Sequence, residues 1–202
     1  SLYSWWYDGD AGPVLASRMS EVTGMTMSNE ERVVVTGLGV LSCLGNGAEA
    51  NWNALCAGTS GIVPISKFDA TGFRCRIAGE VRDFDVTRYV PPKEARRMDP
   101  FCHYAIAASD EAVEQAGLVD AGVDEERVGV LVASDIGGIS TLNKQAKILR
   151  ERGPSKSSPL TVPMMIVDMA SGTVSIRHGF KGPNLCVVTA CASGSHAIGE
   201  AA

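Results

Sequence analysis

Apolar positions in this chain come in two kinds of run, and the two kinds alternate. Short apolar runs read as buried strands: Arg32 to Gly39, Arg127 to Ala133 and Leu185 to Val188. Longer stretches carry helical spacing. Ala48 to Ala57 places Trp52 and Leu55 on one apolar side, with Gly58 as a stop. About Pro100 to Ala116 repeats Ala105, Ile106, Ala108, Ala112 and Val113 and closes at Gly117. Thr141 to Arg152 is amphipathic, and Val162 to His178 predicts one largely buried helix. Between these, Gly61 to Phe68 reads as loop and extended chain, and Arg74 to Val81 as an edge strand or hairpin. Pro91-Pro92 opens a short basic helix, and Gly153 to Pro159 is a Pro/Ser/Lys loop. Apolar strands alternating with helices predict an α/β fold with a mainly parallel sheet covered on both faces.

The first 27 residues have no such pattern, nor the basic start and apolar centre of a signal peptide. They read as a disordered or adventitious leader, with the natural start near Met25 or Met27. A packed arm anchored by Trp5 and Trp6 is the alternative. Residues 28–202 then form one unit that stops inside a helix, which reads as a fragment.

Composition narrows the function. A net charge of −5 argues against a general nucleic-acid binder. No apolar stretch is long enough to cross a bilayer. Six cysteines are scattered at 43, 56, 75, 102, 186 and 191, without a CxxC pair. That reads as reduced, buried thiols in a cytoplasmic protein, not a disulfide framework or a metal site.

The candidate chemistry lies in Thr189-Ala-Cys191-Ala-Ser-Gly194, where a strand runs into a helical pattern of small residues. A helix start presents free N–H groups and favours negative charge, so a thiol there is set up as a thiolate nucleophile. The other reading of Cys191 is a buried structural cysteine, and that reading holds for Cys56, Cys102 and Cys186. Gly37-Leu38-Gly39 invites a dinucleotide site, but Ser42 stands where the third glycine belongs. Gly137-Gly138 lacks the lysine of a phosphate loop. Both glycine sets instead predict close backbone packing. Lys93, Arg96 and Arg97 share one helix face, either solvated or a dock for an acidic partner. His103 and His178 sit in helix patterns, and a helix start directs Cys191 away from His196, so all three read as structural.

In combination, Val33–Gly39, Phe68-Asp69, Lys93–Asp99, Ser134–Gly138, Ile166–Met169 and Thr189–Gly194 closely resemble the β-ketoacyl-[acyl-carrier-protein] synthases of fatty-acid elongation. The resemblance implies a thiolase-like layered αβαβα fold, of which this chain supplies the N-terminal half. It implies that Cys191 takes an acyl chain from acyl-carrier protein. Malonyl-carrier protein then loses CO₂, and its carbanion attacks the acyl-enzyme. It further implies that Ile136 lines the acyl pocket and that Leu160 and Thr161 approach the partner's pocket in a homodimer. Lys93, Arg96, Arg97 and Lys156 would dock the acidic carrier. No cofactor or metal is implied. The family's two catalytic histidines and lysine lie in a second half, so none of the three histidines here takes those roles and the chain by itself is expected to be inactive. Three alternatives stand beside this one: the ketosynthase subunit of an aromatic polyketide system, a non-catalytic fragment that binds carrier protein or dimerises, and a cysteine hydrolase, for which no base is in place.

Overall fold

Helix α3, Pro100–Gln115, is the axis of the structure. Its proline occupies the first turn, where a missing N–H costs nothing. Cys102, Ala105, Ile106, Ala108, Ala112 and Val113 recur along one stripe and are buried. The computed structural model describes residues 33–202; the expected leader, residues 1–27, lies outside them.

Six short strands are described: β1 Leu41–Ser42, β2 Gly45–Asn46, β3 Ile62–Pro64, β4 Ile77–Gly79, β5 Val130–Ala133 and β6 Asn184–Val187. The other helices are α1 Ala48–Cys56, α2 Pro92–Ala95, α4 Ile139–Arg152, α5 Thr161–Met165, α6 Met169–His178 and α7 Ser193–Ala201. β1 pairs with β2 and β3 with β4, both antiparallel, so the Arg74–Val81 segment is one arm of a hairpin. β5 and β6 pair in parallel, Val130 opposite Asn184 through Ala133 opposite Val187. The expected mainly parallel sheet is therefore one parallel pair beside two antiparallel ones, among the described residues.

The core lies where α3, α6 and β5 meet. Val113, Val130 and Val174, one from each, are among the most completely buried side chains. Val130 and Val132 alternate inward along β5, as period-two pleating requires. Each such valine contributes about 1.5–3 kcal/mol by leaving water. Asp110 and Arg177 tie α3 to α6 through paired bonds of 2.5 and 2.6 Å. His178 Nε2 lies 3.3 Å from the same carboxylate.

Four expectations are corrected. Among the described residues Val33 to Gly39 enters no ladder, and at its C-terminal end a helix side chain bonds the backbone instead. Gln115 accepts the Leu38 N–H, and Glu111, one turn earlier, accepts those of Val40 and Ala48 at 2.9 and 2.6 Å. Close docking explains both glycines there: a Cβ on Gly37 or Gly39 would strike the carbonyl oxygen of Ala112 or Ala108. The helix expected over Val162–His178 is two helices. Ile166 is extended, and the Met165 carbonyl accepts the Gly138 N–H at 3.0 Å, where a continuous helix would give it that of Met169. Trp52 and Leu55 are exposed, as are Leu185 and Val188, because nothing among the described residues packs over them. Finally, of the six free cysteines only Cys102 is buried; Cys56, Cys75 and Cys191 are exposed.

Candidate active site

Parallel pairing brings the C-terminal ends of β5 and β6 side by side, and each strand runs on into one of the loops singled out from the sequence. In open α/β sheets that edge is where ligands bind. Beyond β6 the chain passes through Val188 and Thr189, then tightens into a single helical turn at Ala190–Ala192 before α7. Ala190 takes φ +50, one of two non-glycine residues with positive φ among those described. An L-residue in that region costs about 1–2 kcal/mol. The strain therefore sits on the residue immediately before Cys191, whose side chain is exposed. A strained strand-to-helix turn that presents a nucleophile is a known catalytic device.

Ser193 fastens this turn. Its buried hydroxyl accepts the Thr189 N–H at 2.8 Å and donates to the Ala190 carbonyl at 2.7 Å. From the sequence alone Ser193 reads as one more small residue. The available signal was a hydroxyl at a helix start, where such side chains usually bond the backbone.

Beyond β5 lies Ser134 to Gly138. Gly137 takes φ +62, its N–H bonded to Ser134 Oγ at 3.2 Å. A Cβ on Gly138 would lie 2.2 Å from the Met164 carbonyl oxygen, so the loop sits directly on α5. Ile136 is exposed on this loop. Leu160 and Thr161 open α5, held by Ser158: Leu160 N–H donates to Ser158 Oγ at 3.1 Å and Thr161 Oγ1 to its carbonyl at 2.6 Å. The fold thus connects the Ile136 loop to the segment carrying Leu160 and Thr161. Lys93, Arg96 and Arg97 are all exposed on and just after α2, and Lys156 is exposed on a separate turn, Pro154–Lys156.

The other thiols differ from Cys191 in environment. Burial, helped by the nearby Asp99 charge, pushes the Cys102 thiol up to about 12. Burial also raises that of Cys186. The three imidazoles are engaged elsewhere. His103 Nε2 meets the Ala95 carbonyl at 3.0 Å, His178 meets Asp110, and His196 Nε2 meets Glu200 at 3.2 Å. Among the described residues no cluster of His, Cys, Asp or Glu could hold a metal, and no helix is long and apolar enough to cross a membrane.

Residues 30–202 match the family model of the β-ketoacyl synthase N-terminal domain. The chain belongs to the β-ketoacyl synthase family. It is 49% identical over 177 residues to the 3-oxoacyl-[acyl-carrier-protein] synthase 2 of Synechocystis sp., covering 88% of this chain and 42% of that protein. The ishigamide ketosynthase/chain length factor superposes with a TM-score of 0.71 at 29% identity, over 83% of this chain and 44% of its own. A ketosynthase complex with a type II polyketide acyl-carrier protein gives a TM-score of 0.70 at 25% identity, over 85% and 45%. The β-ketoacyl synthase domain here thus has the α/β, thiolase-like fold expected of an N-terminal half, and the chain spans less than half the length of these relatives.

Proposed function

We propose that this chain carries the nucleophile of a 3-oxoacyl-[acyl-carrier-protein] synthase of fatty-acid elongation. The observation that supports it most is Cys191, exposed on a strained turn between a parallel strand and α7. As thiolate, Cys191 Sγ attacks the carbonyl carbon of an acyl chain held as a thioester on acyl-carrier protein. The new C–S bond forms on Cys191, and the carrier's thiol leaves and takes up a proton. Malonyl-carrier protein then loses CO₂, and its carbanion attacks the acyl-enzyme carbonyl. Cys191 is released as thiolate, and the β-ketoacyl product is two carbons longer. The backbone N–H of Cys191 is one donor to the oxyanion formed in each attack, the role such groups generally play.

Ile136 lines the acyl pocket, with Leu160 and Thr161 reaching the pocket of a second copy in a homodimer. Lys93, Arg96, Arg97 and Lys156 receive the acidic carrier, by charge complementarity that favours encounter. Such a protein works in the cytoplasm. The histidines that assist decarboxylation belong to the part of the family beyond this chain's match. A second reading, the ketosynthase of a type II polyketide system, rests on the superposed ketosynthase in complex with its type II polyketide acyl-carrier protein. The much higher identity to the fatty-acid synthase favours the first.

The test is acyl transfer from a saturated acyl-carrier thioester, read by intact mass and peptide mapping. Acylation on Cys191, absent from Cys191→Ala, is the expected result. A folded chain whose Cys191 takes neither acyl group nor cerulenin, a covalent probe of the family's nucleophile, overturns the proposal.

A further inference from the structure

Asp99 stands at the position that would cap α3, yet its carboxylate makes no bond to that helix. Instead Asp99 Oδ2 accepts both the backbone N–H and the hydroxyl of Thr141, at 2.9 and 2.7 Å. Thr141 is the third residue of α4, so Asp99 caps a helix 42 residues away in sequence. Both partners are buried. The reason lies in Gly138, which occupies the capping position of α4 itself. Its contact with the Met164 carbonyl leaves no room for a Cβ, so no serine, threonine or aspartate can cap the helix from within. The cap is supplied from outside, by a residue two positions after Arg97.

We infer that Asp99 is a positioning residue that fixes the start of α4, and through it the Ser134–Gly138 loop that carries Ile136. The role rests on the reading of Cys191 as acyl acceptor and of Ile136 as pocket wall. It gives the acyl-length preference of the site a determinant outside the pocket, directly behind the basic turn Lys93–Arg97. Asp99 belongs to neither the Ile136 loop nor the Cys191 turn and acts on them only through α4. Loss of its two bonds frees the first turn of α4 and lets the Ile136 loop shift relative to Cys191.

The test is the alkylation rate of Cys191 by N-methyl and N-octyl iodoacetamide, which needs no catalytic histidine, together with amide exchange across residues 138–142. In the unaltered chain the octyl reagent should react faster relative to methyl than it does with free cysteine. Asp99→Leu should cut that preference about tenfold, leave the methyl rate within about threefold, and speed exchange at the start of α4 about tenfold, the scale of a buried charged hydrogen bond. Asp99→Asn, which still offers an oxygen to Thr141, should restore the octyl preference; a merely structural loss would slow both reagents together. Thr141→Val, which removes only the hydroxyl bond, should show the same change at smaller size even where Asp99→Leu does not fold. An octyl preference that is absent in the unaltered chain, or unmoved in both Asp99→Leu and Thr141→Val, overturns the inference. A preference that falls in these variants, while carrier thioesters never acylate Cys191, would sink the synthase reading and with it the acyl-length consequence, and leave standing only the positioning of α4 and the Ile136 loop by Asp99.

Discussion

The hydroxyl of Ser193 accepts the backbone N–H of Thr189 across the turn that presents Cys191. With its second bond, to the Ala190 carbonyl, it spans the strained residue on both sides. Ser193→Ala leaves the Thr189 N–H and the Ala190 carbonyl without this partner in a part-buried turn. It should destabilise the fold by about 1 kcal/mol and slow acyl transfer to Cys191 about tenfold through lost orientation. Thermal melts and acylation rates check this; an unchanged acylation rate would mean the turn holds its shape without the hydroxyl.

Gly138 and Gly194 make a matched pair of substitutions. Gly138 needs no special backbone angle, so the effect of Gly138→Ala is steric alone: the new Cβ meets the Met164 carbonyl oxygen at 2.2 Å. A loss of about 2 kcal/mol is expected. Gly194, inside α7, faces open space, and Gly194→Ala should stabilise by about 0.5–1 kcal/mol. Denaturant unfolding of both variants decides.

The Asp110 cluster sets an acid limit. Burial alone would raise its carboxyl, but the bonds and charges of His178 and Arg177 outweigh that and hold it below the ordinary 3.8. A depressed folded value contributes stability that is complete above the unfolded value and lost as pH falls through the folded one. The chain should therefore weaken below about pH 4. Asp110→Asn should cost about 1–2 kcal/mol at pH 7, discounted because the Arg177 side chain is 34% exposed, and the deficit should shrink near pH 3. Urea midpoints at the two pH values measure it; an equal deficit at both would rule the linkage out.

Thiol labelling separates the cysteines. At pH 8 iodoacetamide should reach Cys191, Cys56 and Cys75, all exposed. Cys102, buried and pushed up to about 12, should stay unlabelled until the chain unfolds. Its labelling rate then reports global opening. Early labelling of Cys102 in peptide maps would contradict the packing of α3 against α6.

Reversing Lys93, Arg96 and Arg97 to glutamate should weaken binding of acyl-carrier protein by about tenfold or more, through lost charge complementarity. Alkylation of Cys191 by a small neutral reagent should not change. Binding of the unaltered chain should fall with added salt, as exposed charges are screened. Titrations at two ionic strengths test it, and salt-insensitive binding would remove these residues from the docking surface.

The sequence by itself determined what depends on nearest neighbours. The stripe of α3, the stop at Gly117, the hairpin arm near Ile77 and the strand-to-helix turn at Cys191 follow from periodicity, turn residues and small side chains. The family, too, was legible in the motifs around Cys191, Gly137 and Asp99. Tertiary structure decided what depends on a partner distant along the chain. Val33 to Gly39 reads as a strand, but whether it pairs rests on what lies beside it, and at its end side chains of α3 take the N–H groups of Leu38 and Val40. The break between α5 and α6 arises because the Met165 carbonyl bonds Gly138, a competition no local pattern records. The Asp99 cap on α4 is of the same kind. A carboxylate two residues after a basic turn has the same local sequence whether it caps its own helix or another, and only packing selects between them.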